Sequence, residues 1–293
     1  MKACKEFANA KINLYLDVTS MRDDGFHNIK TVMHSVSLAD EIIAFYAPSK
    51  KTDIKMYILG DAKLPQDEKN LAYRAAALFL EKAGLTASIE IHLKKNIPIA
   101  AGLAGGSSDA AATLRAMNKL FGRLFSNSAL LKMAEQLGSD VPYCLFGKTA
   151  LCEGRGEIIT RLNKNPRLNI LVLNAGEYVK TPEAYAALDK IHSGFKNSVN
   201  PESEDKLKRL LASIDNEAID LSALYNIFED AVLPICPKAQ DIRKRLLALG
   251  ARASLMSGSG SSVFGVFENE SDMLYARDLF LKENIRAYAT KSV

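Results

Sequence analysis

Residues 98–109 read Pro98-Ile99-Ala100-Ala101-Gly102-Leu103-Ala104-Gly105-Gly106-Ser107-Ser108-Asp109 and run straight into Ala110-Ala111-Ala112-Thr113-Leu114-Arg115-Ala116-Met117-Asn118. The second stretch is a strong helix former. The first carries three glycines, which let a backbone approach a ligand closely and adopt left-handed angles. A helix start presents free N–H groups and the positive end of its dipole, so the junction predicts an anion-binding turn. Ser107 and Ser108 can cap the helix, contact phosphate or help hold a magnesium ion. A glycine-rich turn with a serine N-cap is the bland alternative.

Better-known phosphate motifs do not account for this loop. The Gly-Lys-Thr at Gly147-Lys148-Thr149 has Pro142 where a P-loop needs its first glycine. No G-x-G-x-x-G follows a predicted strand, so the dinucleotide-binding fingerprint is missing. The protein kinase signature set is missing too.

Outward from the loop, strands and helices are intermixed. Residues 11–18 alternate apolar and polar as a half-buried strand does. Asp23, Asp24 and Gly25 mark a turn, and 29–46, 54–59 and 87–93 read as strands. Leu71 to Lys82 is helical, with Gly84 placed to end it, and a second helix covers 128–137 up to Gly138. Residues 148–160 are strand-like and 161–167 form a polar linker. Beyond it come a buried strand at 169–173 and a helix opened by Thr181-Pro182 as N-cap and first turn. Helical patterns fill 203–213, 222–232 and 237–249. Two strands around 254–256 and 263–267 enclose a Ser/Gly loop, and a helix over 271–282 and a short strand finish the chain. The pattern predicts two α+β domains, 1–162 and 163–293.

Composition narrows the class. The chain has 293 residues, 48% apolar and 25% charged, with a net charge of +4, a globular mixture without a basic tail. The cysteines Cys4, Cys144, Cys152 and Cys236 form no C-x-x-C pair and read as reduced thiols in small core positions. No apolar run approaches the roughly 18 residues of a membrane span, and no signal peptide is legible. These features predict a cytoplasmic protein with no membrane partner. The mild charge alone decides nothing, fitting an anionic small substrate as well as nucleic acid. The expected partners include no nucleic acid, and the expected state is a monomer or homodimer.

Pro98 to Asp109 resembles the phosphate-binding motif of the GHMP kinases, and Met256-Ser257-Gly258-Ser259-Gly260-Ser261-Ser262-Val263-Phe264-Gly265 resembles their C-terminal glycine motif. Alone, the second would be a flexible Gly/Ser connection. The N-terminus narrows the likeness. Ala8 to Leu16, Arg22-Asp23-Asp24-Gly25-Phe26-His27, Leu38-Ala39-Asp40-Glu41-Ile42, Asn70-Leu71, Gly138-Ser139-Asp140-Val141-Pro142 and Glu153-Gly154-Arg155-Gly156-Glu157 are similar to the diphosphocytidyl-methylerythritol kinases, a branch of that family. Only 190–220 carries little of the likeness.

The resemblance implies a ribosomal-protein-S5-like N-terminal domain and a ferredoxin-like C-terminal domain. It implies phosphorylation of the small molecule diphosphocytidyl methylerythritol by ATP, with Mg2+ delivered by the nucleotide and no protein metal ligand assigned. Asp140 would be the general base, with Lys11 beside it keeping it ionised. The loop residues Pro98, Ala100, Gly102, Leu103, Ala104, Gly105, Gly106, Ser107 and Ser108 would hold ATP, and Asn70 and Lys95 would contact adenosine. Asn70 is equally a helix N-cap, and Lys95 equally an exposed strand end. On the acceptor side, Asn13 and His27 would hydrogen-bond the substrate and Phe26 would stack on cytosine. Tyr185 is a candidate for the other face of the base, or a core residue, and Thr181 a pocket residue or an N-cap. Ala104 departs from the family, where many members have glycine, and Phe26 stands where tyrosine is common. The competing readings are another GHMP activity (homoserine, mevalonate or galactose type) and an RNA-binding protein. The second leaves Asp140 and both glycine loops without a role.

Overall fold

The computed structural model describes residues 2–60, 62–192, 195, 200–216 and 219–293. One compact unit comprises Met1–Ala10, Ala39–Ile99 and Ala104–Phe146. It holds the outer ends of β1 (Lys2–Met21) and β2 (His27–Pro48) together with β3 (Asp53–Leu59), α1 (Leu71–Ala83), β4 (Ala87–Lys94), α2 (Gly105–Leu120), α3 (Asn127–Leu137) and α4 (Val141–Phe146). β4 pairs in parallel with β3 and antiparallel with residues 41–48 of β2. Every second residue of β4 is buried (Ala87, Ile89, Ile91 and Leu93), as the pleat requires.

The helix ends follow local chemistry. Asn70 Oδ1 accepts from the Ala72 N–H at 3.0 Å to start α1. Gly84, at φ +62°, stops it in the left-handed region, where its N–H and that of Leu85 close on Glu81 and Leu80. α1 packs on α2, and both helices bury runs of alanine.

The second unit comprises Lys11–Leu38, Ala100–Leu103 and Gly147–Val293. It adds β5 (Thr149–Gly154), β6 (Ile158–Arg161), β7 (Asn169–Asn174), α5 (Thr181–Ile191), α6 (Pro201–Asp215), β8 (Tyr225–Asn226), α7 (Glu229–Val232), α8 (Pro237–Ala248), β9 (Ala253–Met256), β10 (Val263–Phe267), α9 (Glu270–Lys282) and β11 (Arg286–Lys291). β7, β9, β10 and β11 form an antiparallel sheet in the order β11-β7-β10-β9. Helix α8 precedes β9 and α9 joins β10 to β11, which is the ferredoxin-like arrangement. Its core gathers Leu171, Leu173, Ile242, Leu246, Val263 and Phe280 among others.

Several sequence readings need correction or refinement. Residues 222–232 are not one helix. Asp220 caps a 3-10 turn at Leu221–Ala223, Tyr225 and Asn226 pair in parallel with Tyr15 and Leu16 of β1, and only Glu229–Val232 is helical. The strand-like 148–160 is a hairpin of β5 and β6. The middle of β1 is buried on both faces rather than one: Ile12, Leu14 and Leu16 lie on one side, and Lys11, Asn13, Tyr15 and Asp17 are 1–6% exposed on the other. All four cysteines are free thiols, and Cys4 is half-buried rather than a core residue. Among the described residues no helix is long and apolar enough to cross a membrane.

Candidate active site

The polar face of β1 is buried because its groups satisfy one another. Lys11 Nζ donates to Asn13 Oδ1 at 2.8 Å and to the Gly102 carbonyl at 3.0 Å. Asn13 Nδ2 donates to Thr31 Oγ1 at 2.8 Å, and that hydroxyl donates to the Tyr15 carbonyl at 2.6 Å. A buried ammonium is tolerable only with such partners. Lys11 is therefore no solvated strand lysine, and Asn13 orients it.

The two glycine motifs meet at Gly102. Ser257 Oγ donates to the Gly102 carbonyl at 3.1 Å, so one oxygen accepts from both Ser257 and Lys11. Gly102 has φ +74°, and a methyl there would lie 2.1 Å from the Ser257 carbonyl oxygen. Glycine is required here by close backbone packing as well as by angle. Leu103 accepts from the Lys11 N–H at 3.2 Å. Ala100 also lies in the left-handed region, at φ +52°.

In the other unit, α2 begins at Gly105 with no side-chain cap. Its first intrahelical bond is Ser108 N–H to the Ala104 carbonyl at 2.9 Å. The N–H groups of Gly105, Gly106 and Ser107 are thus first-turn donors without an intrahelical acceptor, a donor set that fits a phosphate oxygen. A methyl on Gly106 would meet only Leu71 Cδ1, at 3.8 Å, so this glycine leaves room for a ligand. Ala104 sits before the helix at φ +55°, the left-handed angle that glycine takes without strain. Neither serine caps the helix: Ser108 Oγ instead donates to the Asn9 carbonyl.

Lys95 is not an exposed strand end. Its side chain is 5% exposed, and its ammonium pairs with Asp40 and, at 2.8 Å, with Asp109 Oδ2. Asp40 Oδ1 also accepts the N–H groups of Asn96 at 2.5 Å and Ile97 at 2.8 Å. The triad thereby ties the chain just before Pro98 to the first turns of α2. Burial works against the Lys95 charge, but the two carboxylates outweigh it and hold its pKa above the ordinary lysine value. Burial, with Asp40 alongside, pushes the Asp109 carboxyl well above the usual range against the pull of Lys95. Its Oδ1 is buried with no hydrogen-bond partner among the described residues. Asn70 caps α1, and Asp140 is half-buried directly before α4, its carbonyl accepting the Cys144 N–H at 3.0 Å.

At the other end of β1, His27 Nε2 lies 2.8 Å from Asp189 Oδ1. Tyr185 stacks on the His27 ring with centroids 4.7 Å apart, and Phe195 meets it edge-on at 6.1 Å. Tyr185 also packs on the hydrophobic core, edge-on to Phe228. Phe26 is 54% exposed, with the Arg155 guanidinium 5.2 Å from its ring centroid. Thr181 is the first residue of α5 rather than its N-cap, which is Lys180; its hydroxyl lies 3.0 Å from Ser259 Oγ in the second glycine loop. Sequence reasoning missed Thr31, Asp189, Asp40 with Asp109 as partners of Lys95, and Asn226 with Glu229. The quoted blocks around Asp40 and Asp109 were the only signal, since their pairing spans 55 and 14 residues.

Residues 70–148 match the GHMP kinases N terminal domain and residues 207–275 the GHMP kinases C terminal domain. The 4-diphosphocytidyl-2-C-methyl-D-erythritol kinase of Caldicellulosiruptor saccharolyticus is 42% identical over 95% of this chain and 94% of its own. That of Macrococcus caseolyticus is 38% identical over 90% of each. A crystal structure of 4-(cytidine 5'-diphospho)-2C-methyl-D-erythritol kinase superposes with a TM-score of 0.82 at 33% identity, covering 99% of both chains. Homoserine kinase from Cytophaga hutchinsonii, at 24% identity and a TM-score of 0.77, shares the fold. The chain belongs to the GHMP kinase family, among its 4-diphosphocytidyl-2-C-methyl-D-erythritol kinases.

Proposed function

We propose that the protein transfers the γ-phosphoryl group of ATP to the 2-hydroxyl of 4-diphosphocytidyl-2-C-methyl-D-erythritol, a step of the non-mevalonate route to isoprenoid precursors. The observation that carries this reading is the similarity to kinases of that name over nearly the whole chain. The acceptor end supports it: exposed Phe26 beside His27, with Tyr185 stacked on the imidazole, offers aromatic faces and polar edges suited to a nucleobase. Homoserine, mevalonate and galactose carry no nucleobase for such a platform.

Asp140 takes the proton of the acceptor hydroxyl as general base. The Lys11 ammonium, located by Asn13 and Gly102, favours the ionised carboxylate and the developing alkoxide. The first-turn N–H groups of α2 hold phosphate oxygens, and Pro98, Ala100 and Gly102 to Ser108 shape the cradle around them. Asn70 and Lys95 belong to the adenosine side, Lys95 by setting the backbone there, since its ammonium is committed to Asp40 and Asp109. Asn13, Phe26, His27, Thr181 and Tyr185 form the acceptor side. Magnesium brought by ATP would, when bound, supply neutralisation of the phosphate charge. Residues 1–162 and 163–293 form the two domains of a cytoplasmic enzyme, monomer or homodimer. The test is ADP release with the diphosphocytidyl substrate, homoserine, mevalonate and galactose in parallel. Turnover with the first alone is expected, and faster turnover with any other overturns the assignment.

A further inference from the structure

Asn226 is 3% exposed and uses all its hydrogen-bonding groups. Its Nδ2 donates to the carbonyls of Met256 at 2.7 Å and Gly258 at 2.8 Å, while Oδ1 accepts the Phe228 N–H at 3.0 Å. Three residues on, Glu229 Oε1 accepts the Met256 N–H at 2.8 Å and pairs with Arg243 Nε at 3.2 Å. Met256 is thus held at its N–H and at its carbonyl by two side chains from one short segment. The β9–β10 hairpin does not need them to close. Met256 is already in register with Val263, and the Ser257 N–H donates to the Ser262 carbonyl at 2.9 Å. What the pair fixes is the direction in which the loop leaves the sheet.

That direction ends at Lys11. From the Asn226 anchor, Ser257 and Gly258 lie on Gly102: Ser257 Oγ reaches its carbonyl at 3.1 Å, and a methyl on Gly258 would come within 3.0 Å of the same oxygen and 3.4 Å of Lys11 Nζ. The Gly102 carbonyl is also the acceptor that locates the Lys11 ammonium. A shift of the 256–258 backbone therefore bears on Gly102 and, through its carbonyl, on the ammonium.

We propose that Asn226 and Glu229 are positioning residues for phosphoryl transfer, fixing the 256–258 backbone on Gly102 and through it the place of Lys11. The inference rests on the kinase reading above. Steady-state kinetics of Asn226→Ala, Glu229→Ala, Glu229→Gln, Lys11→Met and Asn226→Ala/Lys11→Met test it. A displacement of about 1 Å at the reacting groups lowers kcat about 100-fold, so Asn226→Ala should do so with the acceptor KM within about threefold. Glu229→Gln keeps the acceptor for Met256 and should stay within about threefold of wild type, whereas Glu229→Ala should follow Asn226→Ala. In the Lys11→Met background Asn226→Ala should cost less than about threefold, because the group it positions is gone. An undiminished loss in that background, or unchanged kcat in Asn226→Ala, overturns the proposal. Should Asn226→Ala not fold, Glu229→Ala against Glu229→Gln, each also made in Lys11→Met, carries the same comparison. A wild type inactive on the diphosphocytidyl substrate would fail the functional reading alone. Calorimetry with a non-hydrolysable ATP analogue then decides this one: about tenfold weaker binding in Asn226→Ala but not in Glu229→Gln supports it, and equal affinities overturn it.

Discussion

Gly102→Ala and Gly106→Ala should separate a glycine required by packing from one required by a ligand. At Gly102 the added methyl meets the Ser257 carbonyl oxygen at 2.1 Å, and φ is +74°. A non-glycine residue in that region costs about 1–2 kcal/mol, and forcing two backbone segments apart adds about 1–3 kcal/mol. The variant should therefore lose about 2–5 kcal/mol in urea unfolding, offset by under about 1 kcal/mol from the stiffer unfolded chain. At Gly106 the methyl meets only Leu71 Cδ1, at 3.8 Å, on a helix start where alanine is the better residue. Gly106→Ala should keep wild-type stability within about 1 kcal/mol, yet raise the KM for ATP if the open space it fills receives a phosphate as proposed. Urea midpoints together with ATP titrations read both quantities. Equal stability for Gly102→Ala and wild type, or a larger loss for Gly106→Ala than for Gly102→Ala, would refute the reasoning.

His34 is buried between Thr149 Oγ1 and Ser292 Oγ, at 2.8 Å from each, and burial pushes its pKa down to about 4. The unfolded chain binds that proton near pH 6.5, so stability is present above that pH and falls as pH drops toward 4, by roughly 2 kcal/mol between pH 7 and pH 5. His34→Gln should flatten that part of the urea-midpoint profile; an unchanged slope would contradict the assignment. Lys95→Met strands Asp40 and Asp109 without their ammonium and should cost about 3–5 kcal/mol, and a loss below about 1 kcal/mol would contradict the triad. Phe26→Ala should raise the acceptor KM by roughly 5- to 150-fold, the worth of one base stack, and leave the ATP KM unchanged. An equal rise in both would place Phe26 away from the base.

Much of the architecture was legible locally. Asn70 and Gly84 bracket α1, and the alternation of β4 and the glycine run entering α2 encode their own geometry within a few residues. What escaped depends on contacts distant in sequence. Asn226 and Glu229 act on backbone 27 to 32 residues away, so nothing in the 222–232 pattern distinguishes a clamp from a helix. The alternation in β1 suggested one wet face, yet that face is buried because Lys11 and Asn13 satisfy each other. Lys95 looked exposed because its neighbours in sequence are polar, while its partners come from β2 and α2. Thr181 has the look of an N-cap, but the chain enters α5 one residue earlier.

The most direct test of the central claim is single-turnover and steady-state ADP release by wild type, Asp140→Asn and Asp140→Ala with the diphosphocytidyl substrate. Loss of the general base should lower kcat about 100- to 10,000-fold while the KM for ATP and the unfolding midpoint stay at wild-type values. Variants that turn over within about tenfold of wild type would show that Asp140 only starts α4 and that the hydroxyl proton leaves by another route.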